Sequence, residues 1–221
     1  MRAAVVNVGD EVLAGDTVNT NASWLCSRLA GRGVSVERVV VVPDDVAAVA
    51  DEVRRLSDAY DAVVVTGGLG PTPDDVTAEG VARALDRGVD VTDETREAAA
   101  GYSGDVSDEA AAVPAGACPI PNQEGVAPGF AVENVFVLPG VPSEMKAVFG
   151  EIEHEFEGDE VGVAYVHTEE PESQLVGRVK EARQRFGVKI GSYPGEDGVR
   201  LKLTGEEAAV EDARVWLSER V

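Results

Sequence analysis

Short β-branched apolar runs alternate along this chain with stretches whose apolar residues recur at helical spacing, almost from the first residue. Ala3 to Val8 is an apolar run of strand length, ended by Gly9-Asp10. Ala22, Leu25, Cys26 and Leu29 then fall on one helix face, and Gly31-Arg32-Gly33 stops that helix. Val34 to Val42 predicts a second strand. Pro43-Asp44-Asp45 opens a helix with Val46, Val49, Val53 and Leu56 on one side. Ala62 to Val65 is apolar at successive positions and, with Thr66, predicts a strand covered on both faces.

Further along, Pro73-Asp74-Asp75 places proline and carboxylates where a helix over Val76 to Leu85 would start. The spacing predicts a helix over 90–104, a loop-rich arm over 114–128, a strand over Asn134 to Leu138 and a helix over Ser143 to Phe156. The acidic stretch Glu155 to Glu160 is the natural boundary. Beyond it come a strand over 161–167, a helix over 172–186, strands over 188–193 and 198–203, and a helix over 206–219. Alternating strand and helix predicts an α/β fold with a mostly parallel sheet, a three-layer α/β/α sandwich over residues 1–156, followed by a small α+β domain over 161–221. Gly195-Glu-Asp-Gly198 matches the Gly-x-x-Gly clamp of RNA-binding KH modules only on the surface. It carries acid where phosphates would lie and joins two strands, so a hairpin turn is the expectation.

Composition narrows the class. With 221 residues and 44% hydrophobic content the chain can bury a sizeable core, and no apolar run approaches the roughly 20 residues that cross a bilayer. The first residues lack the apolar region and cleavage site of a signal peptide, so a cytoplasmic location without membrane contact is expected. Cys26 and Cys118 have no partner at metal-ligand spacing and are expected as reduced, mostly buried thiols. The formal charge of −22, with lysine only at positions 146, 180, 189 and 202, predicts a salt-loving host, a halophilic archaeon. The same charge argues against nucleic acid as a partner, because backbone phosphates need a basic face.

Chemistry concentrates in three strand-to-helix turns. Thr66-Gly-Gly-Leu-Gly-Pro-Thr-Pro-Asp-Asp75 leaves a buried strand. Its glycines Gly67, Gly68 and Gly70 would let backbone approach a phosphate closely at a helix start. No Lys-Ser/Thr follows, so it is not a Walker loop. Asp74 and Asp75 beside a phosphate would repel it unless a cation lies between, so the same turn predicts Mg²⁺. The plainer alternative is helix capping. The turn from Gly9 to Asn21 brings Asp10, Asn19 and Asn21 to the carboxyl end of the first strand, where open α/β sheets bind ligands; turn formation without a ligand is its alternative. The third turn, Leu138-Pro-Gly-Val-Pro-Ser-Glu-Met145, offers Gly140, Ser143 and Glu144. Lys146 follows it, as a phosphate contact or as a solvated helix lysine. His154 and His167 show no catalytic or metal spacing and read as structural.

These segments, together with Asp74-Asp75 and Thr77 and with Pro121-Asn122 and Gly125-Val-Ala-Pro-Gly-Phe130, resemble in order and spacing the MoaB/Mog-type molybdopterin-binding family, in its CinA-like (competence/damage-inducible) branch. The likeness covers residues 1 to about 150, and the tail with Lys189-Ile-Gly-Ser-Tyr-Pro194 is similar to the KH-like unit of that branch. The resemblance implies the molybdopterin-binding fold and a homo-oligomer, dimer or trimer. In Mog-type relatives the glycine loop and nearby aspartates hold an adenylated pterin with Mg²⁺, which maps here to Asp44 and Asp75. CinA-like relatives are associated with cation-dependent cleavage of ADP-ribose. The expectation is therefore a small-molecule diphosphate or pterin ligand, with Mg²⁺ or K⁺, contacted by Thr66, Thr72 and the turn residues above. The leading expectation is hydrolysis of a substrate such as ADP-ribose, with Asp75 and Asp44 as catalytic residues and Asp75 and Asp74 on metal. The alternatives are capture of molybdopterin or its adenylate without turnover, and a scaffold with a degenerate site. Full CinA proteins carry a further amidase domain, and its activity is expected to be absent here.

Overall fold

The computed structural model describes residues 1–100, 108–125, 127–158, 162–195 and 197–221. The chain divides into two units, Met1–Gly158 and Asp159–Val221.

In the first unit, β1 (Arg2–Val8) leads through a single helical turn, α1 (Asp10–Leu13), to α2 (Thr20–Gly31) and β2 (Ser35–Val42). Then come α3 (Val46–Ser57), β3 (Ala62–Thr66), α4 (Thr77–Ala84), β4 (Val89–Asp90), α5 (Asp93–Ala100) and α6 (Asp108–Ala111). The unit closes with β5 (Val113–Pro114), β6 (Cys118–Ile120), β7 (Gly129–Val132), β8 (Val135–Leu138) and α7 (Pro142–Ile152). The main sheet runs β2-β1-β3-β8-β7-β6. Its β2, β1, β3 and β8 pair in parallel, and β7 and β6 join antiparallel at one edge.

Strand alternation makes the layers. Ala4, Val6 and Val8 of β1, with Val63 and Val65 of β3, pack with Val49, Val53 and Leu56 of α3 and Val81 of α4. Their neighbours Ala3, Val5, Ala62 and Val64 pack on the opposite face with Leu25 and Leu29 of α2 and Met145, Val148 and Phe149 of α7. A strand with period 2 buried on both faces must be apolar throughout, and all five residues of β3 are buried. Each fully buried valine contributes roughly 1.5–3 kcal/mol relative to exposure.

Several elements differ from the sequence expectation. The stretch from residue 90 starts as strand, because Val89-Asp90 pairs with Val113-Pro114. A reciprocal cap then sets the start of α5, with Thr95 N–H donating to Thr92 Oγ1 (3.1 Å) and Thr92 N–H to Thr95 Oγ1 (3.0 Å). The remainder of that expected helix, 101–104, lies outside the described residues. The last helix of the unit gives way to a 3-10 turn at Glu153–Glu155, which brings buried Phe156 onto Phe149 (5.5 Å between centroids) and Phe136 (4.8 Å). Cys26 is half-buried and Cys118 exposed on edge strand β6, against the expectation of buried thiols.

The second unit runs β9 (Gly162–Thr168), α8 (Glu172–Phe186), β10 (Lys189–Gly195), β11 (Gly198–Gly205) and α9 (Glu207–Ser218). Its antiparallel sheet, in the order β10-β11-β9, is an α+β arrangement. Gly195 and Gly198 pair with each other at the end of the β10–β11 ladder, as expected for two strands joined by a hairpin. Val166, Val199, Leu201 and Leu203 face a core shared with Leu175, Ala182, Ala213 and Leu217 of the two helices.

Candidate functional site

After β1 the chain crosses to β2 on one side, then returns past β1 to form β3 on the other. The crevice outside the carboxyl ends of β1 and β3 is therefore the topological switch point, where open α/β sheets bind ligands. A cleft of about 230 Å³ lies there, lined by the ends of both strands, the Gly9–Asn21 turn, Asp44, Asp74, Asp75 and Gly140.

Glycine is required where three strand ends converge. Gly67 has φ 106° and Gly68 φ 61°, values that L side chains rarely adopt. A Cβ on Gly67 would also be driven into the Val8 carbonyl oxygen, and one on Gly140 would approach Gly67 Cα to 3.2 Å. Gly67 N–H donates to Leu138 O (3.2 Å), tying β3 to the third turn. Asn21 adds a side-chain strut. Its Nδ2 donates to Gly140 O (2.7 Å) and Thr66 Oγ1 (3.4 Å), while Thr66 Oγ1 donates to Pro139 O (2.9 Å).

That strut leaves Asn21 Oδ1 buried without a partner, and Asn7 Oδ1 at the end of β1 is in the same condition. Both residues line the cleft. Below Gly68, the buried Thr77 Oγ1 is also unpartnered, and Thr77 N–H donates to Gly68 O (3.1 Å). Buried polar groups are nearly always satisfied, so these two acceptors are open to a donor from water or from a ligand in the crevice.

The electrostatics agree. The lining contains Glu11, Asp44, Asp74 and Asp75 and neither lysine nor arginine. Burial pushes the Asp44 carboxyl above its ordinary range, and the charges of Asp10, Glu11 and Asp74 push the same way. The Asp10 N–H, which donates to Asp44 Oδ2 (2.8 Å), opposes them. Among the described residues no three His, Cys, Asp or Glu side chains form a metal cage by themselves. The carboxylates there that a cation could meet are Glu11, Asp44, Asp74 and Asp75.

Of the sequence candidates, Asn19, Asn21, Asp44, Thr66, Gly67, Gly68, Asp74, Asp75 and Gly140 meet at this cleft. Asn19 is engaged as the α2 cap, accepting from Ala22 N–H (3.0 Å). The structure does not bring the other candidates into the lining. Asp10 contributes its backbone N–H to Asp44. Gly70 lies behind, against the Asp75 carboxylate. Thr72 binds back to Asp75 Oδ2 through N–H (2.9 Å) and hydroxyl (2.5 Å), closing a turn ahead of α4, which starts two residues after Asp75. Ser143 is exposed in the first turn of α7, and the neighbouring Glu144 accepts from Asn122 Nδ2 (2.7 Å). Lys146 sits over the Trp24 ring (5.9 Å). Asn7 and Glu11 also line the cleft and were not among the sequence candidates. The available signal for Asn7 was a lone amide inside an otherwise apolar strand.

Residues 4–157 match a family model described as a probable molybdopterin binding domain. A CinA-like protein of Citrifermentans bemidjiense is 42% identical over 162 residues, covering 68% of this chain and 39% of that protein. The chain belongs to the molybdopterin-binding-domain family, in its MoaB/Mog-type, CinA-like branch. A protein of Archaeoglobus fulgidus is 40% identical over 212 residues, 94% of this chain and 92% of that one. The crystal structure of the protein CinA from Thermoplasma acidophilum superposes with a TM-score of 0.67 at 35% identity, covering 71% of this chain and 99% of that one. MoaB of Thermus thermophilus, at 20% identity, a TM-score of 0.51 and coverage of 69% and 89%, shares the fold. No helix among the described residues is long and apolar enough to cross a membrane.

Proposed function

We propose that the first unit captures a phosphate-bearing pterin of the molybdopterin class at the β1/β3 crevice, with a divalent cation between the ligand phosphate and the carboxylates. The observation that supports this reading is the pair of unpartnered buried acceptors, Asn7 Oδ1 and Asn21 Oδ1, in a cleft lined by acids and no bases. A pterin ring offers N–H donors to such acceptors. A bare phosphate among four carboxylates would be repelled, at about 1 kcal/mol per charge pair 4 Å apart even in water. Mg²⁺ held by Asp74 and Asp75 would neutralise that repulsion. The volume of about 230 Å³ is below the roughly 300–1,000 Å³ of sites that enclose a whole drug-sized ligand, so one end of the ligand is enclosed and the rest lies on the surface. Equilibrium titration with molybdopterin and its adenylate, with and without Mg²⁺, tests the reading. Binding that is independent of Mg²⁺ and unaffected by Asp75→Asn would contradict it.

A second reading, hydrolysis of a diphosphate such as ADP-ribose, draws on one specific feature. Asp44 is held toward its neutral form beside three other carboxylates, which makes it a proton acceptor tuned upward for a water. In that case Asp44 would take the proton, while Gly67 and Gly68 admit the diphosphate to close backbone contact. Incubation with ADP-ribose and Mg²⁺ would release AMP, and Asp44→Asn would abolish release while sparing affinity. No AMP under any ionic condition leaves capture alone.

A further inference from the structure

The formal charge of −22 is unevenly distributed between the two units. Met1–Gly158 carries 28 acidic and 10 basic residues, a formal charge of −18, whereas Asp159–Val221 carries 13 and 9, a charge of −4. Within the second unit the separation continues. Strands β9, β10 and β11 contain no Asp or Glu at all. The acids of the described part of this unit lie in its two helices and the connections between elements.

Strand alternation turns that composition into a surface. With Val166, Leu201 and Leu203 facing the core, the opposite face is a grid set by the strand register. One row is His167–Arg200–Tyr193, the next Tyr165–Lys202–Gly191, the third Val163–Thr204–Lys189. Tyr165 and Tyr193 are each 48% exposed on this face. The Arg200 guanidinium lies 5.7 Å from the Tyr165 ring centroid and 5.5 Å from that of Tyr193. Gly191 matters here, because a Cβ at that position would press on the Tyr193 ring at 2.9 Å. Its absence lets the ring lie over the strand.

We infer that this face binds single-stranded nucleic acid, with Tyr165 and Tyr193 stacking on bases and Lys189, Arg200 and Lys202 meeting the phosphates. Exposed aromatics interleaved with cations on an open sheet are the combination that holds single strands. Every base has a π-face to stack and every linkage has a negative charge, so such binding tolerates sequence. The expectation drawn from net charge averages over two unlike units, and this inference sets the local face against it. At physiological ionic strength, charges farther away than the Debye length of about 8 Å are largely screened, so the local face decides. This inference is independent of the cleft in the first unit.

The test is fluorescence anisotropy of labelled oligo(U) and oligo(dT) with the full chain, at the lowest salt where its far-UV circular dichroism is unchanged. Three phosphate contacts predict that log K falls against log[salt] with a slope of about −2. Tyr165→Ala and Tyr193→Ala each weaken binding about tenfold, Tyr193→Phe retains it, and Arg200→Gln lowers both the affinity and the slope. The two probes report whether the ribose hydroxyl is read. Absence of binding, equal binding by the tyrosine-to-alanine variants, or equally effective displacement by polyglutamate would overturn the inference, the last by assigning the face to an acidic protein.

Discussion

The two units handle charge in opposite ways. Met1–Gly158 concentrates acid, and its crevice at the ends of β1 and β3 is lined by four carboxylates and no base. Asp159–Val221 is nearly balanced and keeps its three strands free of acid, with cations and tyrosines on an open sheet. One unit presents a concave, acid-lined cleft made by converging backbone. The other presents a flat surface made by side chains. On the proposed reading the concave acid-lined cleft takes a small ligand together with a cation. A flat basic-aromatic face suits an extended anion. The whole-chain charge describes neither.

Backbone change should separate the units most sharply. Gly67→Ala combines a forbidden φ with a clash on the Val8 carbonyl, and should cost about 2–4 kcal/mol in chemical denaturation. Gly177→Ala, in α8 with nothing within 4 Å of the added methyl, should instead stabilise by about 0.5–1 kcal/mol. Comparable losses at both positions would break the contrast.

Salt should act next most strongly. Raising KCl from about 0.1 M to about 1 M shortens the Debye length from about 10 Å to about 3 Å. Hydrogen exchange should then show protection rising several-fold across Met1–Gly158, where the charge is −18, and little change in residues 162–221. Uniform protection would contradict the charge segregation.

The smallest effect concerns Asp44. Its carboxyl titrates above the ordinary range in the folded chain. The stability this contributes is present below the unfolded value, near pH 4, and is lost as pH rises through the folded value. Asp44→Asn should therefore melt slightly higher than the parent at pH 7, with the difference vanishing toward pH 4. An advantage that persists at low pH would refute the assignment.

Much of this was legible in the chain. The two-faced strands announced themselves because period-2 burial on both sides leaves no polar position, and Ala62–Val65 has none. The glycine turns were legible because only glycine tolerates the backbone at Gly67 and Gly68. Capping chemistry at Asn19 and Asp45 could be read from residue type. What escaped was decided by long-range contact. Asn7 reaches the crevice only because β1 lies next to β3, and Glu144 leaves it because Asn122 is 22 residues away in sequence and 2.7 Å away in space. Thr72 and Asp75 turned inward on each other, a local choice that composition does not distinguish from ligand binding. The β9–β11 face was hidden by averaging. Its tyrosines and cations fall on one side only once the register is known.

The central claim is that the β1/β3 crevice is a cation-assisted ligand site. Isothermal titration of the full chain with molybdopterin adenylate, in Mg²⁺ and in EDTA, tests it directly against Asn21→Ala, which removes the strut to Gly140 and one unpartnered acceptor. The account predicts Mg²⁺-dependent binding that Asn21→Ala weakens by about tenfold, the roughly 1.4 kcal/mol of one or two hydrogen bonds, with the chain still folded. Equal affinity in EDTA, or an unchanged constant in a folded Asn21→Ala chain, would contradict it.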